Sequence, residues 1–565
     1  MSDRNYAFVA PFVDALASLG LSHVAIAPGS RSSPLALTFA AHPNIEDLVF
    51  HDERSAGFFA LGLAKTTNRA VAVVTTSGTA AAELLPAAVE AKQGRTPLLL
   101  LTADRPPELR SVGAPQSVDQ VKLYGDAVKW FHEVGVPEGT PEFIRTAPSL
   151  AVRAWADAMD APMGPVHLNF SFREPLVPSG DPPPRQQGQM PRYLASVLQP
   201  PEAAVAEVAD VVAGCRTMIV VGPQADPALA GPITALAKAG GFPVLADGLS
   251  QLRAGPHDKS LVLTAGHALA EVGWLADNKP EAVIRIGAVP TSKPVFRWLA
   301  DNADVPQIII DQAEWRDPDA SAAMMLRSDP AMAATSLTKA ITAMAPQGWA
   351  PAWRRADDVA AAALASAVGE FAFPTEPGVV AALGDAIPDG STLWAASSMP
   401  VRDVDAFMSP RVGALRILSN RGANGIDGFL SSGFGSAVAG GPTYLLAGDL
   451  SVLHDVSALA TAARLDIDAT VIVVHNDGGG IFEFLPQAGA DRETFERIFA
   501  TPHGLDFVTL ATAFGVEAFE TSDQDELREL IASPTGHPRL LQLRTDRIEN
   551  VAVHTAAAEA VRRAL

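Results

Sequence analysis

The 565-residue sequence contains a single cysteine, Cys215, and this scarcity excludes several kinds of protein. One thiol cannot form an internal disulfide framework or a cysteine-based zinc site. A lone cysteine suits the reducing cytoplasm, where we expect the protein to be located. The sequence also lacks an uninterrupted apolar run of about 20 residues, so we expect no membrane insertion. Its first residues show no signal-peptide pattern.

Positive charge is scarce as well. The chain carries 42 Lys and Arg against 63 Asp and Glu, a formal net charge of −21, and residues 370–565 contain no lysine. A field of that sign repels nucleic acid, so we expect no nucleic-acid partner. A site for an anionic ligand would therefore need a local cluster of basic residues. With 48% hydrophobic and 19% charged residues, the composition is otherwise that of a globular protein.

The length favours several domains, at about 150 residues each. Residues 174–201 are rich in proline and glycine and are typical of a linker, and 344–352 form a weaker break. We therefore predict three domains, at 1–180, 200–345 and 355–565. Each alternates short β-branched runs with helical patterns, which predicts three consecutive open α/β domains with mainly parallel sheets.

Polar side chains follow two of the predicted strands in the last domain. Asp449 comes just after the strand 443–447, and Asn476 comes just after the strand 469–475. Their separation is close to one strand–helix–strand unit of about 30 residues, so both side chains can emerge from neighbouring strand ends. Carboxylate and amide oxygens are ligands that Mg²⁺ prefers. The pair therefore predicts a Mg²⁺ site, although two capped tight turns would produce the same pattern.

The run from Gly448 to Ser451, followed by Asn476, resembles the diphosphate motif of thiamine diphosphate (ThDP) enzymes. These enzymes also need a glutamate that hydrogen-bonds N1′ of the cofactor's aminopyrimidine. Glu53, after the apolar strand 48–50 and before an Ala/Gly-rich helix, is similar to that glutamate. The resemblance implies that Glu53 is catalytic.

The resemblance narrows to one branch, the 2-succinyl-5-enolpyruvyl-6-hydroxy-3-cyclohexene-1-carboxylate (SEPHCHC) synthases of menaquinone biosynthesis. Four segments in chain order carry it: Pro-Gly-Ser-Arg-Ser-Ser-Pro at 28–34, Thr-Ala-Asp-Arg-Pro-Pro-Glu-Leu at 102–109, Ser-Asn-Arg-Gly at 419–422, and Gly-Asp-Leu-Ser at 448–451 with Gly-Gly-Gly-Ile-Phe at 478–482. It implies a pyrimidine-binding domain, a central Rossmann-like domain and a diphosphate-binding domain.

The activity that the resemblance implies is a ThDP-dependent transferase reaction. It would decarboxylate 2-oxoglutarate and join the remaining carbons to isochorismate by conjugate (1,4) addition, giving SEPHCHC. The implied cofactors are ThDP and Mg²⁺, with Mn²⁺ as a possible substitute. The implied assembly is a homodimer or homotetramer with active sites at the subunit interface.

The resemblance also implies which residues bind the cofactor. They are Glu53, Ser77, Gly78, Ser398, Gly425, Ile426, Gly448, Asp449, Leu450, Ser451, Asn476, Gly478, Gly479 and Ile481. The implied metal ligands are Asp449, Asn476 and the carbonyl oxygen of Gly478.

Both implied substrates carry two carboxylates, and arginine binds a carboxylate through two parallel hydrogen bonds. Basic residues in strand-end motifs are therefore candidate substrate ligands. Together with polar and aromatic neighbours that match the family, the expected substrate residues are Arg31, Arg105, Gln116, Lys293, Ser398, Arg402, Arg421 and Phe482.

Three alternative functions stay open from the sequence. Another ThDP-dependent lyase, similar to acetolactate synthase, would use pyruvate and would need an apolar pocket where these arginines lie. A nucleotide-binding oxidoreductase would need a G-x-G-x-x-G motif after a strand, and we find none. A non-catalytic α/β binding protein would not need Glu53, Asp449 and Asn476 together.

Overall fold

A computed structural model describes residues 4–178, 190–313 and 315–565 of the chain. Part of the predicted linker, residues 179–189, lies outside the described residues. The chain forms two compact units. The first contains the described residues up to Ser196 with Asn420–Gly440 and His454–Ile467; the second contains the described residues from Val197 to Ser419 with Gly441–Leu453 and Asp468–Leu565.

The first sheet is made of strands from the beginning of the chain. These strands are β1 (His23–Ile26), β2 (Glu46–Val49), β3 (Val71–Thr75), β4 (Leu98–Asp104), β5 (Trp130–Gly135) and β6 (Pro165–Ser171). They lie in the order β2-β1-β3-β4-β6-β5, and each pair is parallel. Strands β3, β4 and β6 are buried along their whole length, as expected when helices cover both faces of a parallel sheet.

The second sheet is also parallel. Its strands are β7 (Thr217–Val221), β8 (Val244–Ala246), β9 (Val262–Leu263), β10 (Ala282–Ile286), β11 (Gln307–Asp311) and β12 (Ala322–Arg327). The order is β12-β11-β10-β7-β8-β9. The first three strands extend to one side and the last three to the other, which is the strand order of a Rossmann fold.

The third sheet repeats the relative strand order of the first. Its strands are β13 (Ser391–Ala395), β14 (Leu415–Leu418), β15 (Thr443–Gly448), β16 (Ala469–His475), β17 (Glu517–Glu520) and β18 (Arg539–Arg544). They lie in the order β14-β13-β15-β16-β18-β17, again all parallel. The predicted α/β class with mainly parallel sheets is therefore confirmed. The domain boundaries at 1–180, 200–345 and 355–565 stay a prediction.

The helices connect the strands of each sheet. In chain order they are α1 (Arg4–Leu19), α2 (Ser33–Ala40), α3 (Glu53–Thr67), α4 (Thr79–Ala82), α5 (Leu85–Gln93), α6 (Pro141–Ile144), α7 (Thr146–Met159), α8 (Glu202–Val212), α9 (Ala230–Gly240), α10 (Gly266–Glu271), α11 (Trp274–Asp277), α12 (Lys293–Asp301), α13 (Pro330–Ala340), α14 (Trp349–Val368), α15 (Glu376–Ala386), α16 (Met399–Phe407), α17 (Phe429–Val438), α18 (Asp449–His454), α19 (Ala458–Leu465), α20 (Arg492–Phe495), α21 (Phe507–Ala513), α22 (Gln524–Ala532) and α23 (Arg547–Ala564). Among the described residues, no helix combines the length and apolar character that a membrane span requires.

The strand orders determine where ligands can bind. In the first sheet β1 lies between β2 and β3, and in the third sheet β13 lies between β14 and β15. The connections leave these neighbouring strands in opposite directions, which opens a crevice at their carboxyl ends. The loops after β1, β3, β13 and β15 are therefore the places where this fold offers a ligand site.

Helices α3 and α17, both in the first unit, approach each other backbone to backbone. A Cβ added at Gly62 of α3 would lie 1.8 Å from the carbonyl oxygen of Ser432, and one added at Gly435 of α17 would lie 2.0 Å from that of Phe59. The Ser432 hydroxyl donates a hydrogen bond to the carbonyl of Phe58 at 3.2 Å. Glycine is required at both contacts because any side chain would force the helices apart.

We predict that Gly62→Ala destabilises the first unit. The added methyl group overlaps the Ser432 carbonyl, and overpacking of this kind costs about 3 kcal/mol. A lower midpoint in urea unfolding would show it. The matched control is Gly231→Ala in α9, where nothing lies within 4 Å of an added Cβ; it should be neutral or stabilising by up to about 1 kcal/mol. Equal effects of the two changes would contradict the prediction.

Candidate active site

The buried carboxylate of Asp449 lies at the carboxyl end of β15. Strands β15 and β16 pair in parallel, with Gly448 opposite Val474, so Asp449 is next to the turn that follows β16. Its Oδ1 accepts a hydrogen bond from the backbone N–H of Leu450 at 2.7 Å, and its Oδ2 accepts one from the N–H of Gly478 at 3.0 Å. The structure thus brings together two of the three predicted metal ligands.

Asn476, the third predicted ligand, presents a free amide oxygen. Its Nδ2 donates to Oε1 of Glu376 at 2.7 Å, while its buried Oδ1 has no hydrogen-bond partner among the described residues. A buried acceptor without a partner is costly unless a ligand satisfies it. The carbonyl of Gly478 accepts from the N–H of Gly480 at 3.0 Å, which leaves one lone pair. These oxygen donors fit a hard divalent cation.

Two histidines, which the sequence did not single out as ligands, surround the same carboxylate. Nδ1 of His475 lies 3.0 Å from Asp449 Oδ2, and Nε2 of His503 lies 3.5 Å from it. The two rings stack with centroids 5.4 Å apart. Ligand atoms of these three residues lie within 4.8 Å of one another. Imidazole nitrogens favour transition metals over Mg²⁺, so this surrounding is compatible with Mn²⁺ as well as Mg²⁺.

Glu376 is a further residue that sequence reasoning missed. It is the first residue of α15 and only 2% exposed. Burial raises the pKa of its carboxyl group, and the nearby carboxyl of Asp403 raises it further. Asp403 itself is buried, and one of its carboxylate oxygens lies 3.1 Å from Nε2 of His554. The environment of Asn476 is therefore a cluster of buried acidic groups.

The remaining predicted residues of the second unit lie at helix ends and in turns. Ser398 precedes α16 with a φ of 77°, and the guanidinium of Arg402 donates to its carbonyl oxygen. Burial lowers the pKa of Arg402. Lys293 is the first residue of α12 and is exposed. The other members of this set lie at the ends of β15 and β16. Gly448 is the last residue of β15, and Leu450 and Ser451 lie in the first turn of α18. After β16, the N–H of Gly479 donates to the carbonyl of Ala500, and Ile481 and Phe482 lie in a 3₁₀ turn at Gly480–Phe484.

In the first unit, Glu53 is the first residue of α3, directly after the loop that follows β2. Asp52 caps this helix by accepting from the N–H of Ser55 at 3.2 Å. The hydroxyl of Ser457 donates to the other oxygen of Asp52 at 3.3 Å. Arg54 donates to the carbonyl of His454 at 3.1 Å. Residues 454–457 thus fix the beginning of α3 and, through it, the position of the half-buried Glu53.

Three of the predicted residues, Ser77, Arg105 and Gln116, form one hydrogen-bonded cluster after β3 and β4, and Gly78 follows Ser77 directly. Arg105 donates to the hydroxyl of Ser77 at 2.9 Å. Gln116 donates to the carbonyl of Ser77 at 2.9 Å, and the Ser77 hydroxyl donates back to the carbonyl of Gln116 at 3.0 Å. Gly78 donates its N–H to the side chain of Gln120 at 3.0 Å. The cluster orients the guanidinium of Arg105 at the carboxyl edge of the first sheet.

Arg31 lies beside this cluster and is 8% exposed. It donates to the carbonyl of Phe172 at 3.0 Å and lies 3.3 Å from the carboxylate of Glu174. Its pKa is lowered first by burial and then by the positive charge of Arg105. The guanidinium of Arg105 is therefore close enough to disfavour the charge of Arg31, and a bound dianion would offset that effect.

The loop that carries Arg421, Gly425 and Ile426 is held by a buried carboxylate. Glu90 accepts hydrogen bonds from the N–H groups of Gly422 at 2.9 Å and Ala423 at 2.6 Å. Lys65 lies 3.5 Å from the same carboxylate. Glu90 lies inside α5, far from any strand-end motif, and the sequence offers no signal for this role. It fixes the backbone immediately after Arg421.

Two family models match the chain. One describes the thiamine pyrophosphate enzyme, N-terminal TPP binding domain, and covers residues 8–123. The other describes the C-terminal TPP binding domain and covers residues 412–543. The crystal structure of benzoylformate decarboxylase from Polynucleobacter necessarius aligns with a TM-score of 0.72 over 97% of this chain and 99% of that chain, at 18% identity. This likeness shows the fold of a ThDP enzyme.

Similar sequences extend over nearly the whole chain. The 2-succinyl-5-enolpyruvyl-6-hydroxy-3-cyclohexene-1-carboxylate synthase of Geobacillus kaustophilus is 42% identical over 98% of this chain and 97% of its own length. The enzymes of the same name from Bacillus velezensis and Chloroflexus aurantiacus are 40% and 41% identical, each over 97% of this chain and over 96% and 94% of their own lengths.

Fold, site and relatives together define the class: this chain is a ThDP-dependent enzyme. The strand-end motifs and the full-length similarity then specify the branch. The chain belongs to the SEPHCHC synthase family.

Asp455, which follows α18, gives a test of how the beginning of α3 is held. Its buried carboxylate accepts from the N–H of Ser431 at 2.7 Å and from the hydroxyl of Ser55 at 3.4 Å. Burial raises its pKa to about 6. Because the folded state holds this proton more tightly than the unfolded chain does, the group lowers stability as pH rises from about 4 to about 6.

We therefore predict that Asp455→Asn is more stable than the wild type at about pH 8, by up to about 3 kcal/mol, and that the difference shrinks to about 1 kcal/mol near pH 4.5. Urea unfolding of both proteins across this range measures it. Exposed Asp210→Asn controls for the loss of one charge. A stability gap that does not change with pH would contradict the assignment.

Proposed function

We propose that this enzyme decarboxylates 2-oxoglutarate and adds the remaining four-carbon unit to isochorismate by conjugate (1,4) addition, giving SEPHCHC for menaquinone biosynthesis. The observation that supports this substrate class is the pair of guanidinium groups of Arg31 and Arg105 at one sheet edge. The pKa of Arg31 is lowered by burial and then by the positive charge of Arg105, so a ligand with negative charge would be favoured here. Both proposed substrates are dicarboxylates.

Three residues would hold the divalent cation, which we propose is Mg²⁺, with Mn²⁺ as a substitute. They are Asp449, Asn476 through its partnerless Oδ1, and Gly478 through its carbonyl oxygen. Gly448, Leu450, Ser451, Gly479 and Ile481 surround them and would line the diphosphate of ThDP. When bound, ThDP supplies a carbon nucleophile and an electron sink for decarboxylation.

Glu53 would hold the proton that is exchanged with N1′ of the cofactor's aminopyrimidine. Its place at the first turn of α3 is fixed by Asp52 and residues 454–457. We propose that Ser77, Gly78, Gly425 and Ile426 line the same end of the cofactor, with Ile426 as the apolar support. Among the described residues, we assign this proton exchange to Glu53 alone. The other acids that we place near a ligand would orient neighbouring side chains or bind the cation.

The proposed substrate ligands are basic side chains at the strand ends. Arg31, Arg105 and Arg421 would bind carboxylates by paired hydrogen bonds, and Gln116 would position Arg105 through Ser77. In the second unit, Arg402 and Ser398 would contact substrate together, with Lys293 and Phe482 completing the set. A pyruvate-specific enzyme would need an apolar pocket instead, so basic side chains in these motifs favour a dicarboxylate donor.

We also propose the assembly and the location that the family resemblance implies. Two copies of the chain would form a homodimer, or two dimers a homotetramer, with each active site at the subunit interface. The single cysteine and the acidic surface fit a cytoplasmic enzyme that binds small molecules rather than nucleic acid.

Incubation with ThDP, Mg²⁺, 2-oxoglutarate and isochorismate tests the proposal. We expect isochorismate to disappear as CO₂ is released in equal amount, and a chelator to stop both. Replacing 2-oxoglutarate with pyruvate is the matched control and should give no turnover. Turnover with pyruvate alone would instead indicate an acetolactate-synthase-like enzyme.

We predict that Glu53→Gln retains ThDP binding but loses about 100-fold or more in kcat, since an amide cannot exchange the N1′ proton. Calorimetric titration of ThDP and steady-state assays measure the two properties separately. Glu142→Gln, an exposed change in α6, serves as control. Near-normal turnover of the Glu53 variant would show that another carboxylate acts.

A further inference from the structure

Asn476 can serve the cation only if its amide faces the right way. A carboxamide has a donor end and an acceptor end of nearly the same shape, and only the oxygen binds a metal ion. In this structure Nδ2 donates to Glu376 Oε1 at 2.7 Å, and within the described part of the chain the buried Oδ1 has no hydrogen-bond partner. Oε1 of Glu376 accepts this hydrogen bond, and only the nitrogen end of an amide can donate one, so the oxygen end of the Asn476 amide faces away from Glu376.

Glu376 is held in place on both sides. It begins α15 between Thr375, whose hydroxyl accepts from the N–H of Gly378 at 3.1 Å, and Pro377, which suits the first turn of a helix. Thr545, just after β18, donates its hydroxyl to Glu376 Oε1 at 3.5 Å and its N–H to the carbonyl of His475 at 2.9 Å. Thr545 therefore links the carboxyl group of Glu376 to the backbone of His475, the residue before Asn476.

The other side of the Asn476 amide is limited by Gly480. A Cβ at this position would lie 2.6 Å from Nδ2 of Asn476, and its next nearest neighbour is also an atom of Asn476. Glycine thus leaves the room that the amide needs to reach Glu376. The gap at Gly480 gives the amide its place, and the acceptor on Glu376 determines its orientation.

Burying Glu376 needs a reason. The residue is 2% exposed, and no group in residues 4–178, 190–313 or 315–565 hydrogen-bonds to its Oε2. A buried carboxylate so poorly paired costs folding free energy. A role in the neighbouring site accounts for its presence.

We propose that Glu376 is a positioning residue of the cation site: it binds the nitrogen end of the Asn476 amide and so directs Oδ1 to the metal ion. The inference rests on the proposed function, in which Asn476 is a metal ligand. Replacing a residue that hydrogen-bonds to a metal ligand commonly changes metal affinity by about 10- to 100-fold.

The test is Mn²⁺ binding in the presence of ThDP, measured from the electron paramagnetic resonance signal of free Mn²⁺ and without turnover. Glu376→Gln has nearly the same shape, but its amide can donate to Oδ1 and turn the wrong end of Asn476 to the ion. We expect it to weaken Mn²⁺ binding about 10- to 100-fold. Glu370→Gln, an exposed change just before α15, should bind as the wild type does.

A double-mutant cycle separates positioning from a general effect on the fold. Asn476→Ala should weaken Mn²⁺ binding, and adding Glu376→Gln to it should cause no further loss. Gly480→Ala tests the same amide in a second way, because the added methyl group would lie 2.6 Å from Nδ2 of Asn476. We expect this variant to weaken Mn²⁺ binding, and it keeps the test available if the Glu376 variant is unstable.

Three outcomes would overturn the inference. Wild-type Mn²⁺ affinity in Glu376→Gln would show that the carboxylate does not matter. The same loss with and without the Asn476 side chain would show that Glu376 acts elsewhere. Unchanged affinity in Asn476→Ala would remove the proposed cation site itself, and this result distinguishes failure of the proposed function from failure of the positioning role.

Discussion

The parallel pairing of β15 with β16 is the constraint on which the cation site depends. Because Gly448 lies opposite Val474, Asp449 emerges beside the turn that carries Asn476 and Gly478, and its carboxylate can accept the N–H of Gly478 at 3.0 Å. A strand advances about 3.3 Å per residue. A slip of one position would direct the side chain to the other face of the sheet, and a slip of two would separate the ligands. The apolar, fully buried β16 prevents both, since its register determines which side chains fill the core on each face.

The first and third sheets share a strand order, and this places the two halves of the candidate machinery in equivalent positions. In each sheet polar residues follow strands at or next to the reversal of strand order: Arg31 follows β1 and Arg105 follows β4, while Asp449 follows β15 and Asn476 follows β16. In the first sheet they form a basic cluster around Arg31 and Arg105, and in the third an acidic cluster around Asp449 and Glu376. The formal charge of −21 therefore describes the surface rather than these sites. Locally, two arginines suffice to favour a dianion, and the buried acids favour a cation.

Much of the fold follows from local sequence patterns. Short β-branched runs predict buried strands, and the glycine-rich or polar residues after them predict ligand-binding turns, as at Asp449 and Asn476. Glu376, Glu90 and His503 could not be predicted in this way. Each acts on a residue more than about a strand–helix–strand unit away, or on a backbone group that carries no sequence signal. Glu90, for example, binds the N–H groups of Gly422 and Ala423, and every non-proline residue has such a group.

The sequence alone determined the α/β class, the parallel sheets, the family and the residues that follow the strands. These depend on the order of apolar and polar residues along a short stretch of chain, where the backbone geometry is nearly fixed. Only the tertiary structure decided which of these side chains meet, as Ser77 meets Arg105 and Gln116. It also decided which end of the Asn476 amide is free, because that choice depends on a carboxylate at Glu376. Hydrogen bonds between distant segments form only after the sheets have assembled, so no local pattern records them.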